Sequence, residues 1–244
     1  KIVDMVYLGR DGHIPSSFSI VDIIDWLYGG VLNVNPLKPN DENRDYFILS
    51  KGHGCLAFYV TLHKRGFIND TDIEQFCKKG GILGEHPDVN KVPGVENSGG
   101  SLGHGLSYAV GIAMGFKIQS KKNNLIVLMG DGECHEGTVW EAAHVARNQN
   151  LNNIVAIIDW NQSGMQLLPY EDLVNKWHAF GWDVQEANGH DPKSLQNAYS
   201  KLMERPTDAP KVIISHTIKG KGVSFIEGHG PWHHKIPNDT EYKE

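Results

Sequence analysis

The 244 residues are 40% apolar and 21% charged, an ordinary balance for a soluble globular protein, which excludes collagen, low-complexity disorder and a coiled coil. A chain this long buries roughly 70–75% of its unfolded surface without disulfide staples, and no apolar run approaches the roughly 18 residues of a membrane span. With 23 basic against 29 acidic side chains, net −6, and no basic block, it is a poor electrostatic partner for nucleic acid.

Ser19-x-x-Asp22 predicts a helix N-cap, followed by Ile20, Ile23, Ile24, Leu27 and Val31 at helical spacing and a stop at Gly29-Gly30. Tyr46–Leu49 reads as a short strand, Cys55–Arg65 as a helix ending at Gly66, and Asp72–Lys79 as another helix. Gly80–Gly105 is rich in Gly, Pro, Asn and Ser, a loop long enough to suggest function. Helix resumes over Leu106–Gln119, then the buried-strand run Leu125–Met129 enters Gly130-Asp131-Gly132. A helix over Thr138–Asn148 and a second buried strand, Ile154–Ile158, follow. Trp182–Glu186 and Val212–His216 are later strands, with a helix between them over Ser194–Glu204. This alternation predicts an α/β fold: a mostly parallel sheet with helices on both faces and ligands beyond the carboxyl ends of the strands. No repeat and no linker divides residues 1–244, read as a single domain.

The 13 histidines and 27 glycines are high counts, suited to proton transfer and to close backbone approach to a ligand. Three cysteines, Cys55, Cys77 and Cys134, lie far apart without a C-x-x-C, which points to a reducing, cytoplasmic setting. The chain opens Lys1-Ile2-Val3-Asp4, with no apolar leader and no initiator Met, as if begun inside a longer natural chain.

Gly130-Asp131-Gly132-Glu133-Cys134-His135-Glu136-Gly137 sits between a buried strand and a helix start, where free N–H groups and the helix dipole favour an anion. Asp131 beside such a site calls for a bridging cation, and Mg²⁺ shares its oxygen ligands with phosphates in this way. Asn161, 30 residues on at the end of the next strand, could complete the shell with its amide oxygen, and the Ser163 carbonyl could add a third ligand. A G-D-G followed at that distance by such an Asn is similar to the thiamine-diphosphate motif, whereas alone it would be only a turn.

Six ordered segments carry a wider resemblance: Gly12-His13, Ser50-Lys51-Gly52-His53, Gly84-Glu85-His86-Pro87 with Glu85 interposed, Gly100-Ser101-Leu102-Gly103-His104-Gly105, the Gly130–Gly137 segment, and Pro231-Trp232-His233. Together they resemble the amino-terminal, diphosphate-binding third of transketolase over nearly the whole chain. Ile218-Lys-Gly-Lys-Gly-Val-Ser-Phe225 and Trp232-His233 are more similar to split members of that family than to fused ones.

The resemblance implies a thiamine-diphosphate-binding fold and the small subunit of a two-chain transketolase, which moves a glycolaldehyde unit from a ketose, phosphorylated or otherwise anionic, to an aldose. Asp131, Asn161 and Ser163 would hold Mg²⁺, with Ca²⁺ or Mn²⁺ able to substitute. Gly132, His53 and the loop Gly100, Ser101 and Leu102 would contact the cofactor, together with Asn161 and His233. His13, His86 and His233 would face the sugar, His13 and His233 handling a hydroxyl proton and His86 the donor's terminal hydroxyl, with His53 between sugar and diphosphate. Glu136 would link two cofactor sites across a dimer, or serve only as a helix N-terminal acid. The pyrimidine-binding and carboxy-terminal domains would lie on a separate large subunit, in an assembly of two small and two large chains, and this chain alone would be inactive. Two departures bear on the substrate: Ile14-Pro15-Ser16-Ser17 after Gly12-His13, and His104 where the family has Gln.

Rival readings are a component of a 2-oxoacid dehydrogenase or deoxyxylulose-phosphate synthase, and a non-catalytic cofactor-binding subunit. His63, His144, His178, His190 and His216 read as surface or packing residues. A zinc cluster of His229, His233 and His234 with Cys134-His135 lacks convincing ligand spacing. Lys219 and Lys221 could meet a phosphate, although two lysines flanking a glycine usually stay solvated.

Overall fold

Strands buried on both faces are apolar over most of their length, and three runs here, Leu125–Met129, Ile154–Ile158 and Val212–Ile214, meet that condition. In a computed structural model, which describes residues 1–169, 172–228 and 230–244, they become β2 (Leu125–Gly130), β3 (Ile154–Trp160) and β5 (Lys211–His216). With β1 (Tyr46–Leu49) and β4 (Asp183–Asn188) they form one parallel sheet in the order β1-β2-β3-β5-β4. The predicted α/β architecture is the one observed.

The two-residue period of the strands divides the core. Phe47, Leu49, Ile126, Leu128, Val155, Ile157 and Ile213 face α1 (Ile2–Gly9), α3 (Val21–Trp26), α4 (Cys55–Lys64) and α9 (Pro192–Glu204). Ile48, Val127, Met129, Ala156, Ile158, Val212 and Ile214 face α6 (His104–Ile118), α7 (Gly137–Asn148) and α8 (Leu173–Ala179). The small residues Ala109, Ala113, Ala142, Ala143 and Ala146 let α6 and α7 lie close to the sheet and to each other.

Local signals misplace two starts. α3 begins after Ile20 with no side-chain cap, because tertiary partners have taken both capping residues. The Ser19 hydroxyl donates to Asp159 Oδ1 at 2.6 Å, and Asp22 pairs with His190 Nδ1 at 2.8 Å. The helix expected over Asp72–Lys79 is instead the short α5 (Asp70–Glu74), started by an Asn69/Asp72 capping box. It ends because Cys77 turns left-handed, φ 53°, and donates its N–H to Leu83 O at 2.9 Å. Beyond α3 the chain widens into a π turn over Leu27–Val31 that ends around Gly30, φ 145°. α1, α8, the five-residue α2 (Ile14–Phe18) and α10 (Asp239–Lys243) lie outside the segments read as elements.

The long loop has no helix or strand before His104, and Leu83, Val92 and Val95 pin it to the core. It therefore folds back beside the ends of β1 and β2 rather than hanging free. Among the described residues, no helix is long and apolar enough to cross a membrane.

Candidate active site at the carboxyl ends of the strands

The register places Gly130 of β2 beside Asp159 of β3, and the residues after both strands open into a cavity of about 700 Å³. Alternation puts Asp159 on the same face as Val155 and Ile157, toward α2 and α3, where it is fully buried. A buried carboxylate must be paired, and this one is surrounded by donors. Oδ1 accepts from Ser19 and Thr217, and Oδ2 accepts from the Lys51 ammonium and, at 2.9 Å, from Asn161 Nδ2. Ser19 Oγ also accepts from Asn161 Nδ2 at 3.1 Å. The Asn161 amide group is thereby fixed with its nitrogen inward and Oδ1 on the Ser163 N–H, 3.0 Å away.

Asp131 is held in the same manner. Its Oδ1 accepts from Gly132 N at 2.8 Å and its Oδ2 from Gly164 N at 3.1 Å, so one carboxylate joins the loop after β2 to the loop after β3. Burial, then the nearby Asp159 charge, raises its pKa, while the two amides and Lys51 oppose the rise. Glu133 lies beneath. It accepts from the Ser50 hydroxyl, from Gly103 N at 2.8 Å and from Gly130 N at 3.2 Å, tying β1, the long loop and β2 together. Its carboxyl is also pushed up by burial against these hydrogen bonds.

The remaining wall is histidine. His13 enters from the segment before α2, His53 from the turn after β1, His86 from the long loop and His233 from the tail. The His13 ring centroid lies 5.3 Å from that of His53 and 5.0 Å from that of His233. Burial, reinforced by His233, His234 and His86, lowers His13 to about 4. His53 is held well below the usual imidazole range by burial and then Lys51, and His233 is lowered by burial and then Lys219. His86 packs over Gly52 and Gly100, where a Cβ on Gly52 would stand 3.0 Å from its ring and 2.9 Å from Gly100 N.

Of the residues singled out in the sequence, His13, His53, His86, His233, Gly100, Leu102, Asp131, Gly132, Asn161 and Ser163 all line this one cavity. Ser101 does not; it lines an adjoining hollow with Ser50 and His104. Glu136 is exposed at the N-cap of α7, outside the cavity lining. The cavity also takes in Lys51, Glu85, Glu133, Gly164 and Lys219, to which sequence reasoning gave no site role beyond the phosphate option for Lys219. Lys219 is half-buried there and its ammonium is pushed down in pKa by burial, whereas Lys221 pairs with Glu227 at 3.3 Å. None of His63, His144, His178, His190 or His216 lines the cavity. Cys134 is fully buried with its thiol on Gly130 O at 3.5 Å, and His229 lies outside the described residues.

The site's donors suit a divalent cation and a polyphosphate. Asp131 and Asn161 offer oxygens, the Ser163 carbonyl accepts, among the described residues, only a long bond from Gln166 N at 3.4 Å, and Ser163 Oγ is a buried atom without a hydrogen-bond partner. Gly132 and Gly164 close on each other with no side chain between, leaving bare backbone beside that group, and Lys219 adds a cation.

The family model described as transketolase, thiamine diphosphate binding domain, matches residues 2–242. The chain is 41% identical over its whole length to one of the apulose-4-phosphate transketolase subunits, that of Phocaeicola vulgatus, covering 88% of it. It is 36% identical to a Clostridium sp. protein named 6-deoxy-6-sulfo-D-fructose transketolase subunit SqwG, covering 89% of this chain and 80% of that one. Transketolase from Campylobacter jejuni superposes with a TM-score of 0.91 at 28% identity, over 98% of this chain and 39% of that one. Transketolase from Leishmania mexicana gives 0.89 at 28%, over 99% and 38%. The chain thus spans well under half the length of the solved transketolases.

Proposed function

This chain belongs to the transketolase family, as a thiamine-diphosphate-binding domain, and we propose that it is the small subunit of a two-chain transketolase moving a glycolaldehyde unit from an anionic ketose to an aldose. The observation that carries the reading is the convergence of Asp131, Asn161 and Ser163 with Lys219 and the four-histidine wall in one cavity. The relatives named as transketolase subunits, for a sugar phosphate and for a sulfosugar, support both the split and the anionic donor.

Asp131, Asn161 and Ser163 would hold Mg²⁺ against the cofactor's diphosphate, with Ca²⁺ or Mn²⁺ able to substitute. Gly132, the loop from Gly100 to Leu102 and Lys219 would receive the phosphates, and the Asp159 hub keeps the Asn161 amide oxygen available. Bound thiamine diphosphate supplies the electron sink that lets the bond beside the ketose carbonyl break. The chain's own contribution is proton handling and orientation. His13 and His233, held neutral near pH 7, accept the proton of the hydroxyl adjacent to that bond, since a protonated ring could not. His86 hydrogen-bonds the donor's terminal hydroxyl, and His53, packed against His13 and His233, positions the sugar against the cofactor.

We assign the 244 residues to one diphosphate-binding domain and the pyrimidine-binding and carboxy-terminal domains to a separate large subunit. The assembly is two small and two large chains, with exposed Glu136 directed at a neighbouring chain. The setting is the cytoplasm, supported by three free thiols, two of them buried.

The test is reconstitution. The chain and the candidate large subunit, separately and together with Mg²⁺ and thiamine diphosphate, are assayed for glycolaldehyde transfer from phosphorylated and sulfonated ketoses. Transfer only by the pair is expected; a pair that binds cofactor yet transfers nothing would overturn the assignment.

A further inference from the structure

Glu85, interposed between Gly84 and His86, gathers two histidines around one carboxylate oxygen. Its Oε1 lies 3.5 Å from His13 Nδ1 and 3.5 Å from His234 Nε2, and the three donor atoms fall within 4.8 Å of one another. These separations are too long for hydrogen bonds, which run about 2.7–3.2 Å. The two edges to Glu85 are close to those of a tetrahedral zinc site, where bonds of about 2.0–2.2 Å place ligand atoms about 3.3–3.4 Å apart, and the edge between the two histidines, within 4.8 Å, closes as His234 turns. His13 Nδ1 is buried and has no hydrogen-bond partner. We propose that His13, Glu85 and His234 form a zinc(II) site, distinct from the all-oxygen site at Asp131.

The ligand side chains are gathered before any ion arrives, and His234, half-exposed, turns to complete the set. The His13 and His234 rings stack at 4.6 Å, and His13 is braced edge-on by His53 and His233. Buried Trp232 anchors the tail that delivers His234. His234 Nε2 donates to Asp11 Oδ1 at 2.8 Å, so zinc must take the place of that proton, and the released Asp11 carboxylate then adds a second negative charge beside the site. Two imidazoles and a carboxylate prefer zinc to magnesium, which takes oxygen ligands, and to manganese, which binds such donors more weakly. On the reading that His13 faces the sugar, zinc there withholds it from the ketose, so the two compete for the cleft.

The test needs neither cofactor nor partner, so its failure is separable from failure of the transketolase reading. The full chain in excess Mg²⁺, without thiamine diphosphate, is titrated with Zn²⁺ by calorimetry and with Co²⁺ as a visibly absorbing stand-in. A single equivalent is expected, weakened at least about tenfold in Glu85→Gln and in His234→Gln and unchanged in Asp131→Asn. Both side chains are at least a third exposed, so the fold should persist, which an unfolding midpoint verifies. No zinc binding, equal binding in the Glu85 and His234 variants, or loss in Asp131→Asn would overturn the proposal.

Discussion

Gly164 approaches Gly132 so closely that a Cβ on Gly164 would stand 2.7 Å from both the Cα and the amide nitrogen of Gly132. Both partners are backbone, so no rotamer change relieves the clash. Gly164→Ala should therefore cost about 1–3 kcal/mol of stability and part the two loops that Asp131 joins, weakening Mg²⁺-dependent cofactor binding. Gly137→Ala, where nothing lies within 4 Å, is the control. Thermal melts and cofactor titrations of the two variants check the contrast.

The buried Lys51–Asp159 pair supports the site from below. Lys51→Met leaves Asp159 facing only Ser19, Thr217 and Asn161, and removal of one partner of a buried pair costs about 3–5 kcal/mol. Denaturant unfolding should show that loss, and Lys51→Met with Asp159→Asn should recover part of it. Equal stability of the double and single variants would mean that the charge is not what matters.

The sheet was legible because a strand buried on both faces is written as an unbroken aliphatic run, as in Leu125–Met129 and Ile154–Ile158. The glycine-flanked Asp131 stood out from its place between a buried strand and a helix start, whereas His13, His53, His86 and His233 were set apart from the other histidines only by the resemblance to transketolase. What stayed hidden depends on contacts distant in sequence. Ser19 looks like a cap until β3 places Asp159 beside it, 140 residues on. Glu133 looks like one more acid in a turn, and only its accepted hydrogen bonds from Ser50 and Gly103 reveal it as a structural joint. The signal that could have found Asp159 is parity, since it continues the inward series Val155, Ile157 where an apolar residue is expected, and Lys51 then follows as the partner such a buried charge needs.

Acid should remove the buried histidines' share of the free chain's stability. An unfolded histidine protonates near 6.5, whereas His13 does so only near 4 in the folded state, and His53 and His233 are lowered in the same direction. Between those values the unfolded chain binds more protons, so stability present above about pH 6.5 is lost progressively toward about pH 4. The raised carboxyls of Glu96, Asp131 and Glu133 act in the opposite sense, so the histidine share is read from unfolding midpoints as the stability difference between wild type and His13→Gln, which should shift against wild type as pH falls from about 6.5 to about 4. A difference that does not change across that range would contradict the burial argument.

In the reconstituted enzyme, His13→Ala and His233→Ala should each lower kcat by about 10²–10⁴-fold, the usual worth of a positioned acid or base. The double variant should lose less than the product if both serve one proton. His86→Ala, which removes a hydroxyl contact, should act mainly on KM. Steady-state kinetics with one ketose donor separate the two patterns.

The most direct measurement is calorimetric titration of thiamine diphosphate into the chain with its candidate large subunit, with and without Mg²⁺, for wild type and Asp131→Asn. The account predicts saturable binding that requires Mg²⁺ and is weakened at least about tenfold by the substitution, as expected when one metal ligand is lost. No binding to the wild-type pair, or equal binding by Asp131→Asn, would contradict the claim that this cavity holds the cofactor's diphosphate through a metal.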